Sequence, residues 1–144
     1  MQFVYPHTVR QSDDGAWQVR FPDVPEARTE GDTETEAHTL ATDVLLAALG
    51  GLAKLKRPVP RPSRAASRAV VVVPMLQAAK LALYQAMREQ GLTNVALARQ
   101  QGLLESEVRR KLDLDHETRI RTLEGALAHL GKRIASEVRL AAAA

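Results

Sequence analysis

The chain has 144 residues, no cysteine, 26% charged residues and a formal net charge of +3. That length supports one modest domain or two very small ones with thin cores, for which oligomerisation is a natural remedy. The lack of cysteine excludes disulfides and thiolate metal sites, the apolar runs are too short to cross a bilayer, and MQFVYPHTVR lacks the apolar core of a signal peptide, so a soluble cytoplasmic protein without a membrane partner is expected.

Phe3 to Val9 is rich in β-branched and aromatic residues, and Trp17, Val19 and Phe21 alternate with Gln18 and Arg20. Two strands are predicted around the turn Ser12-Asp13-Asp14-Gly15, forming a hairpin. Pro6 cannot donate to a sheet ladder, which places its strand at an edge or its ring nitrogen where no partner is needed. Pro22-Asp23-Val24-Pro25 makes a rigid corner, and Ala27 to Glu30 is short enough for a third strand. Thr33, with Glu36 three residues later, forms a capping box that opens a helix. Along it Ala37, Ala41, Val44, Leu45, Ala48 and Leu52 recur at helical spacing, an apolar stripe suited to lie across the sheet. Gly50-Gly51 should weaken its last turn.

Lys56, Arg57, Arg61, Arg64 and Arg68 then sit among Pro58, Pro60 and Pro62 without an intervening acid. This composition predicts an extended, weakly ordered connector, either a solvated linker or a basic strap that adds phosphate contacts. Val70 to Val73, bounded by Pro74, is most simply a strand returning the chain to the first sheet, which makes the connector a loop inside a domain spanning residues 1–73.

Residues 74–144 read as helical. Pro74 suits a first turn, Leu76, Ala79, Leu83 and Met87 share a face, and Gly91 supplies a left-handed stop. Thr93 caps a second helix, with Val95, Leu97 and Ala98 predicted to point inward, and Gly102 ends it. In the third helix Val108 and Leu112 face the core, leaving Glu105, Ser106 and Arg109 on the opposite side with Arg110 and Lys111 flanking them. A fourth helix, Thr118 to Leu130, buries Ile120, Leu123, Leu127 and Leu130 and is a candidate dimer surface. Periodicity leaves Arg133 to Leu140 open between strand and helix, and Ala141 to Ala144 open between helix extension and fraying.

Charge divides the chain as its elements do. Residues 1–55 hold four Lys or Arg against nine Asp or Glu, a balance of −5, whereas residues 56–144 hold sixteen against eight, a balance of +8. Such a reversal suits a basic half that meets a polyanion and an acidic half that meets something basic. The candidate acidic face comprises Asp13, Asp14, Asp23, Glu26 and Glu30. Two short helices hinged at a glycine, with arginines displayed on the second, are how a helix-turn-helix is presented to DNA, although an all-helical protein-binding bundle shares the hairpin. The four histidines, His7, His38, His116 and His129, fall on separate elements without metal-ligand spacing, and Gly50-Gly51 has no P-loop lysine; no metal or cofactor is expected.

The segment FPDVPEARTEGDTETEA resembles the amino-terminal domain of HicB-type antitoxins through Phe21, Pro22, Asp23, Pro25, Gly31, Asp32, Thr33, Glu36 and Ala37. The resemblance implies an α+β protein: a partial ribonuclease H-like β-β-β-α-β domain followed by an all-helical helix-turn-helix domain. It also implies a partner, a small basic HicA-type RNA-cleaving toxin whose active site the first domain covers. Ribonuclease H chemistry needs carboxylates converging on metal ions, one of them on the opening strand. Residues 2–10 contain no Asp or Glu, and Asp13, Asp14 and Asp32 fall on turns where capping explains them, so a fold without catalysis, hence no enzyme, is expected.

The run VRRKLDLDHETRIRTLEGALAHLGKRI resembles the carboxy-terminal domain of HicB antitoxins that carry a repressor-like helix-turn-helix. By that layout Asn94 falls at a phosphate-touching position and Glu105, Ser106 and Arg109 at base-reading ones. The candidate DNA-binding residues are therefore Thr93, Asn94, Glu105, Ser106, Arg109, Arg110 and Lys111. Leu104 departs from the small polar cap common in that family, and Glu105 and Glu107 repel phosphate unless one reads a cytosine amino group. The resulting expectation is an antitoxin that blocks its toxin and, as a dimer or higher homo-oligomer, represses its own operon by binding double-stranded operator DNA. The alternatives are a repressor whose first domain binds a small ligand or another subunit without a toxin, and a nuclease on the ribonuclease H scaffold.

Overall fold

A computed structural model describes residues 1–66 and 68–137 of the chain. The elements run β1 (Val4–Gln11), β2 (Trp17–Arg20), β3 (Arg28–Gly31), α1 (Glu34–Lys54), β4 (Ala69–Val72), α2 (Met75–Glu89), α3 (Asn94–Gln101), α4 (Glu105–Leu112) and α5 (Ile120–His129). The fold class is mixed α+β, with an antiparallel four-stranded sheet in the order β3-β2-β1-β4. The expectations for residues 138–144 lie outside the described residues, and residues 133–137 take neither a strand nor a helix.

β1 is an interior strand rather than an edge. It pairs with β4 from Val4 to His7 and with β2 from Thr8 to Gln11. Pro6 is tolerated there because, beside it, only β4 is a ladder partner. The Pro22–Pro25 corner is two consecutive turns, with the Val24 amide donating to Phe21 O at 3.2 Å and the Ala27 amide to Val24 O at 2.9 Å. It buries Val24 at its centre. The capping box forms as the residue types dictate: Thr33 Oγ1 accepts from the Glu36 amide at 3.1 Å, and Glu36 returns to accept from the Asp32 amide at 2.8 Å.

α1 lays Ala37, Ala41, Leu45, Leu49 and Leu52 on the sheet, with Val44 and Ala48 flanking that line half-buried. It continues through Gly50-Gly51 to Lys54, because Gly50 is buried against Leu114 and tertiary packing outweighs helix propensity there. Gly31, the last residue of β3, touches the first turn of α1 so closely that a Cβ would stand 2.8 Å from the Ala37 nitrogen.

The basic connector is fastened, contrary to the weak order its composition suggests. Tyr5 Oη donates to Pro60 O at 2.7 Å, Tyr84 Oη to Arg57 O at 2.8 Å, Gln85 Nε2 to Val59 O at 3.2 Å and Arg88 to Lys56 O at 2.6 Å. Val59 is buried, and Asp23 accepts from both the amide and the hydroxyl of Ser63. Burial, with the charge of Asp23 adding to it, pushes the Tyr5 hydroxyl up to about 12, so it remains a donor.

Two cores form. The first joins Phe3, Tyr5, Val19, Phe21 and the α1 stripe to Leu81, Tyr84 and Leu114. The second gathers Ala79, Leu83, Met87, Leu97, Val108, Leu123 and Leu127. α2 therefore has two apolar sides where its sequence pattern displayed one. Val95 is 55% exposed rather than inward. It is two residues from Leu97, and residues at that separation point to different sides of a helix.

His7 and His38, which the sequence places on separate elements, meet: His7 Nε2 lies 3.1 Å from His38 Nδ1, and the His7 ring packs on Phe21. Glu34 lies 3.9 Å from the outer nitrogen of His38. His7 is buried, its Nδ1 has no hydrogen-bond partner, and burial, reinforced by His38, holds its imidazole below the ordinary histidine range.

Gly31→Ala should cost about 1–3 kcal/mol in urea unfolding, because the added methyl meets rigid backbone. Since unfolded histidine takes up its proton near pH 6.5 and His7 resists doing so when folded, the unfolded state binds more protons on acidification. The His7 contribution is therefore complete above that pH and is lost as pH falls through it towards the lower folded value, by at most about 1.4 kcal/mol per pH unit. Melting temperatures compared at pH 7.5 and 5.5 should show this loss, and His7→Phe should reduce it.

Candidate nucleic-acid interface

α3 and α4 meet at Gly102, whose φ of 65° and ψ of 34° put it in the left-handed region that glycine occupies without strain. Thr93 caps α3 by accepting from the Ala96 amide at 3.1 Å. Leu97 and Ala98 on one helix and Val108 on the other hold the pair against α2 and α5. Leu104 is the residue before α4 and has no side-chain acceptor, so the cap is supplied in reverse: Glu107 accepts from the Leu104 amide at 2.8 Å. A carboxylate in that first turn also suits the positive end of the helix.

Three of the candidate residues come together. Asn94 Nδ2 donates to Glu105 Oε1 at 3.3 Å, and the other carboxylate oxygen of Glu105 lies 3.7 Å from the Arg109 guanidinium. Ser106 is half-buried beside them in sequence, and Arg109 and Arg110 are exposed. Lys111 differs from expectation. It is only 9% exposed, and burial pushes its ammonium below the ordinary lysine range despite the opposing effect of Glu107. An eight-residue helix anchored by Val108 turns Lys111, three residues later, towards the same inner side.

The five acids proposed as one face fall at two ends of the sheet. Asp13 and Asp14 lie at the β1–β2 hairpin tip, and Glu30, opposite Gln18, is nearer that end of the sheet. Asp23 and Glu26 lie beyond the other end of β2 and are engaged internally, Asp23 with Ser63 and Glu26 with Arg57 at 3.4 Å. At the hairpin tip Ser12 and the Ala16 amide donate to Asp14 and hold its carboxyl below the usual range.

A groove of about 780 Å³ opens between the start of β1, residues 61–65 and α2, lined by Arg61, Arg64, Gln85 and Lys132 among others, with Lys132 paired to Glu89 at 2.9 Å. Among the described residues no group of three or more His, Cys, Asp or Glu is placed to hold a metal ion, and no helix is long and apolar enough to cross a membrane. The lysine of greatest structural interest lies outside the predicted set: Lys80, fully buried on α2, donates to the carbonyls of Asp113 and His116 just beyond α4. Its only linear signal is a charge within the apolar run Ala78 to Leu83.

Comparison with known proteins agrees with the local patterns. The family model described as HicB_like antitoxin of bacterial toxin-antitoxin system matches residues 4–82. Antitoxin HicB 2 of Photorhabdus laumondii is 40% identical over 124 residues, covering 86% of this chain and 88% of that protein. Antitoxin HicB of Escherichia coli K12 is 34% identical over 131 residues, covering 90% and 95%. Antitoxin HicB of Pseudomonas fluorescens is 32% identical over 143 residues, covering 98% and 97%. With sheet, capping box and matched length all in agreement, this chain belongs to the HicB-like antitoxin family of bacterial toxin-antitoxin systems.

Proposed function

We propose that this antitoxin has two activities: residues 1–73 dock on a HicA-like RNA-cleaving toxin and cover its active site, and residues 74–144 bind operator DNA and repress the operon. The observation that carries the second activity is the α3–α4 pair hinged at Gly102 with Arg109 and Arg110 exposed on α4. In this reading the pair is a helix-turn-helix, with α4 in the major groove and the start of α3 against phosphate. Of the two acids on α4, Glu105 has its charge offset by Arg109 and accepts from Asn94, whereas Glu107 accepts from the Leu104 amide and keeps its charge. Thr93, Asn94, Ser106, Arg109 and Arg110 form the proposed contact set, and Lys111 supports α4 from within.

The first activity rests on the antitoxin relatives and on the acidic balance of residues 1–55. The exposed acids Asp13 and Asp14 at the hairpin tip are the proposed electrostatic contact for a basic partner. A dimer joined through α5 would present two α4 helices to successive half-sites, gaining affinity by linkage.

Co-expression with the adjacent gene product tests the toxin arm: the two proteins should purify as one complex, and separate elution would refute that arm. Asp13→Lys combined with Asp14→Lys should slow toxin association by roughly tenfold or more at low salt, leaving operator binding unchanged. Arg109→Ala should weaken binding to the upstream duplex by about 1–3 kcal/mol if it reads a base, with toxin neutralisation intact. Native affinity for that duplex would remove Arg109 from the contact set.

A further inference from the structure

The turn Asp113–His116, through which the chain leaves α4, is held by both cores' supporting helices. From α2, the buried Lys80 ammonium donates to the carbonyls of Asp113 and His116, and Gln77 Nε2 donates to Leu114 O at 3.5 Å. From α1, Lys54 pairs with Asp113 at 3.8 Å and Asp115 at 3.4 Å. Between them Leu114 is buried in the first core, against Gly50 of α1, while Val108, six residues earlier on α4, is buried in the second.

Lys80 is a poor choice for stability alone. Burial pushes its ammonium below the ordinary lysine range, opposed by Asp113, Glu117 and Asp115. A well-packed apolar residue in place of a buried ion is often neutral or stabilising. What an apolar residue cannot do is hold two carbonyls in one direction. Asp113 is the C-terminal cap of α4, so the ammonium also sits at the negative end of that helix.

We propose that Lys80 is a positioning residue: by gripping the Asp113 and His116 carbonyls it fixes the angle at which α4 stands against the sheet and α1, without touching DNA itself. This rests on the reading of α4 as the DNA-contacting helix, but the geometric part can be measured without DNA. It differs from a surface charge effect because Lys80 has no exposed surface to offer a phosphate.

The chain's lack of cysteine makes the measurement direct. Full-length protein carrying Asp43→Cys on α1 and Arg110→Cys on α4 is spin-labelled, and the inter-label distance distribution is compared with and without Lys80→Met. The expected result is a single narrow distribution that becomes broad in the variant while unfolding stays cooperative. In parallel, unlabelled Lys80→Met is titrated with the upstream duplex at several salt concentrations. Its affinity should drop by about tenfold or more, with a shallower salt slope because fewer phosphates are engaged. A purely structural role would instead lower the amount of active protein and leave the slope unchanged. Should Lys80→Met not fold, Lys80→Leu, which likewise has no donor for the two carbonyls, takes its place in both measurements. An unaltered distance distribution overturns the proposal, as does native affinity with a native slope. If the unsubstituted protein binds no duplex, the DNA reading fails, and the label distances alone decide whether Lys80 holds α4.

Discussion

The constraint on which the rest of the molecule depends is the burial of α2 on two sides. Leu81 and Tyr84 complete the core beneath the sheet, and Leu83 and Met87 complete the core of the helical unit. Each fully buried leucine contributes about 1.5–3 kcal/mol, against a total stability of about 5–15 kcal/mol for a domain. Neither core is large enough to spare its share. A small chain with two thin cores thus gains by letting one helix serve both, and the sheet and the α3–α4 pair are tied through it as a result.

That arrangement explains which features could be read in the linear sequence. The hairpin, the capping box at Thr33 and the glycine stops at Gly91 and Gly102 are local devices, written within a few residues of where they act. The fourth strand is legible in the valine run because a short β-branched apolar segment stopped by Pro74 has few other destinations. Long-range pairings were not legible. Nothing in the spacing of His7 and His38 announces that they touch, and the carbonyls that hold the basic connector belong to the backbone, whose partners no residue alphabet records. Lys111 is buried and Val95 exposed, the reverse of what their spacing predicts, because a helix of two turns is too short for periodicity to resolve its inner side.

The candidate site shows the same division. Asn94, Glu105 and Arg109 were named from the pattern, and the structure brings them together. The acids were legible as charges but not as partners. Glu107 turns back to cap its own helix, and two of the five acids of the suspected negative surface, Asp23 and Glu26, hold Ser63 and Arg57. Net charge by segment describes a long-range field, whereas the contact surface is whatever remains after such internal claims are met.

The segment between α1 and β4 carries one more implication. Because Tyr5, Tyr84, Gln85 and Arg88 grasp its main-chain oxygens, most of its own described side chains, apart from Arg57, Val59 and Ser63, are released from anchoring duty. Mutational drift there can rewrite the local electrical character without loosening the attachment. The fold thereby keeps a firmly mounted stretch whose composition is free to follow whatever lies opposite it.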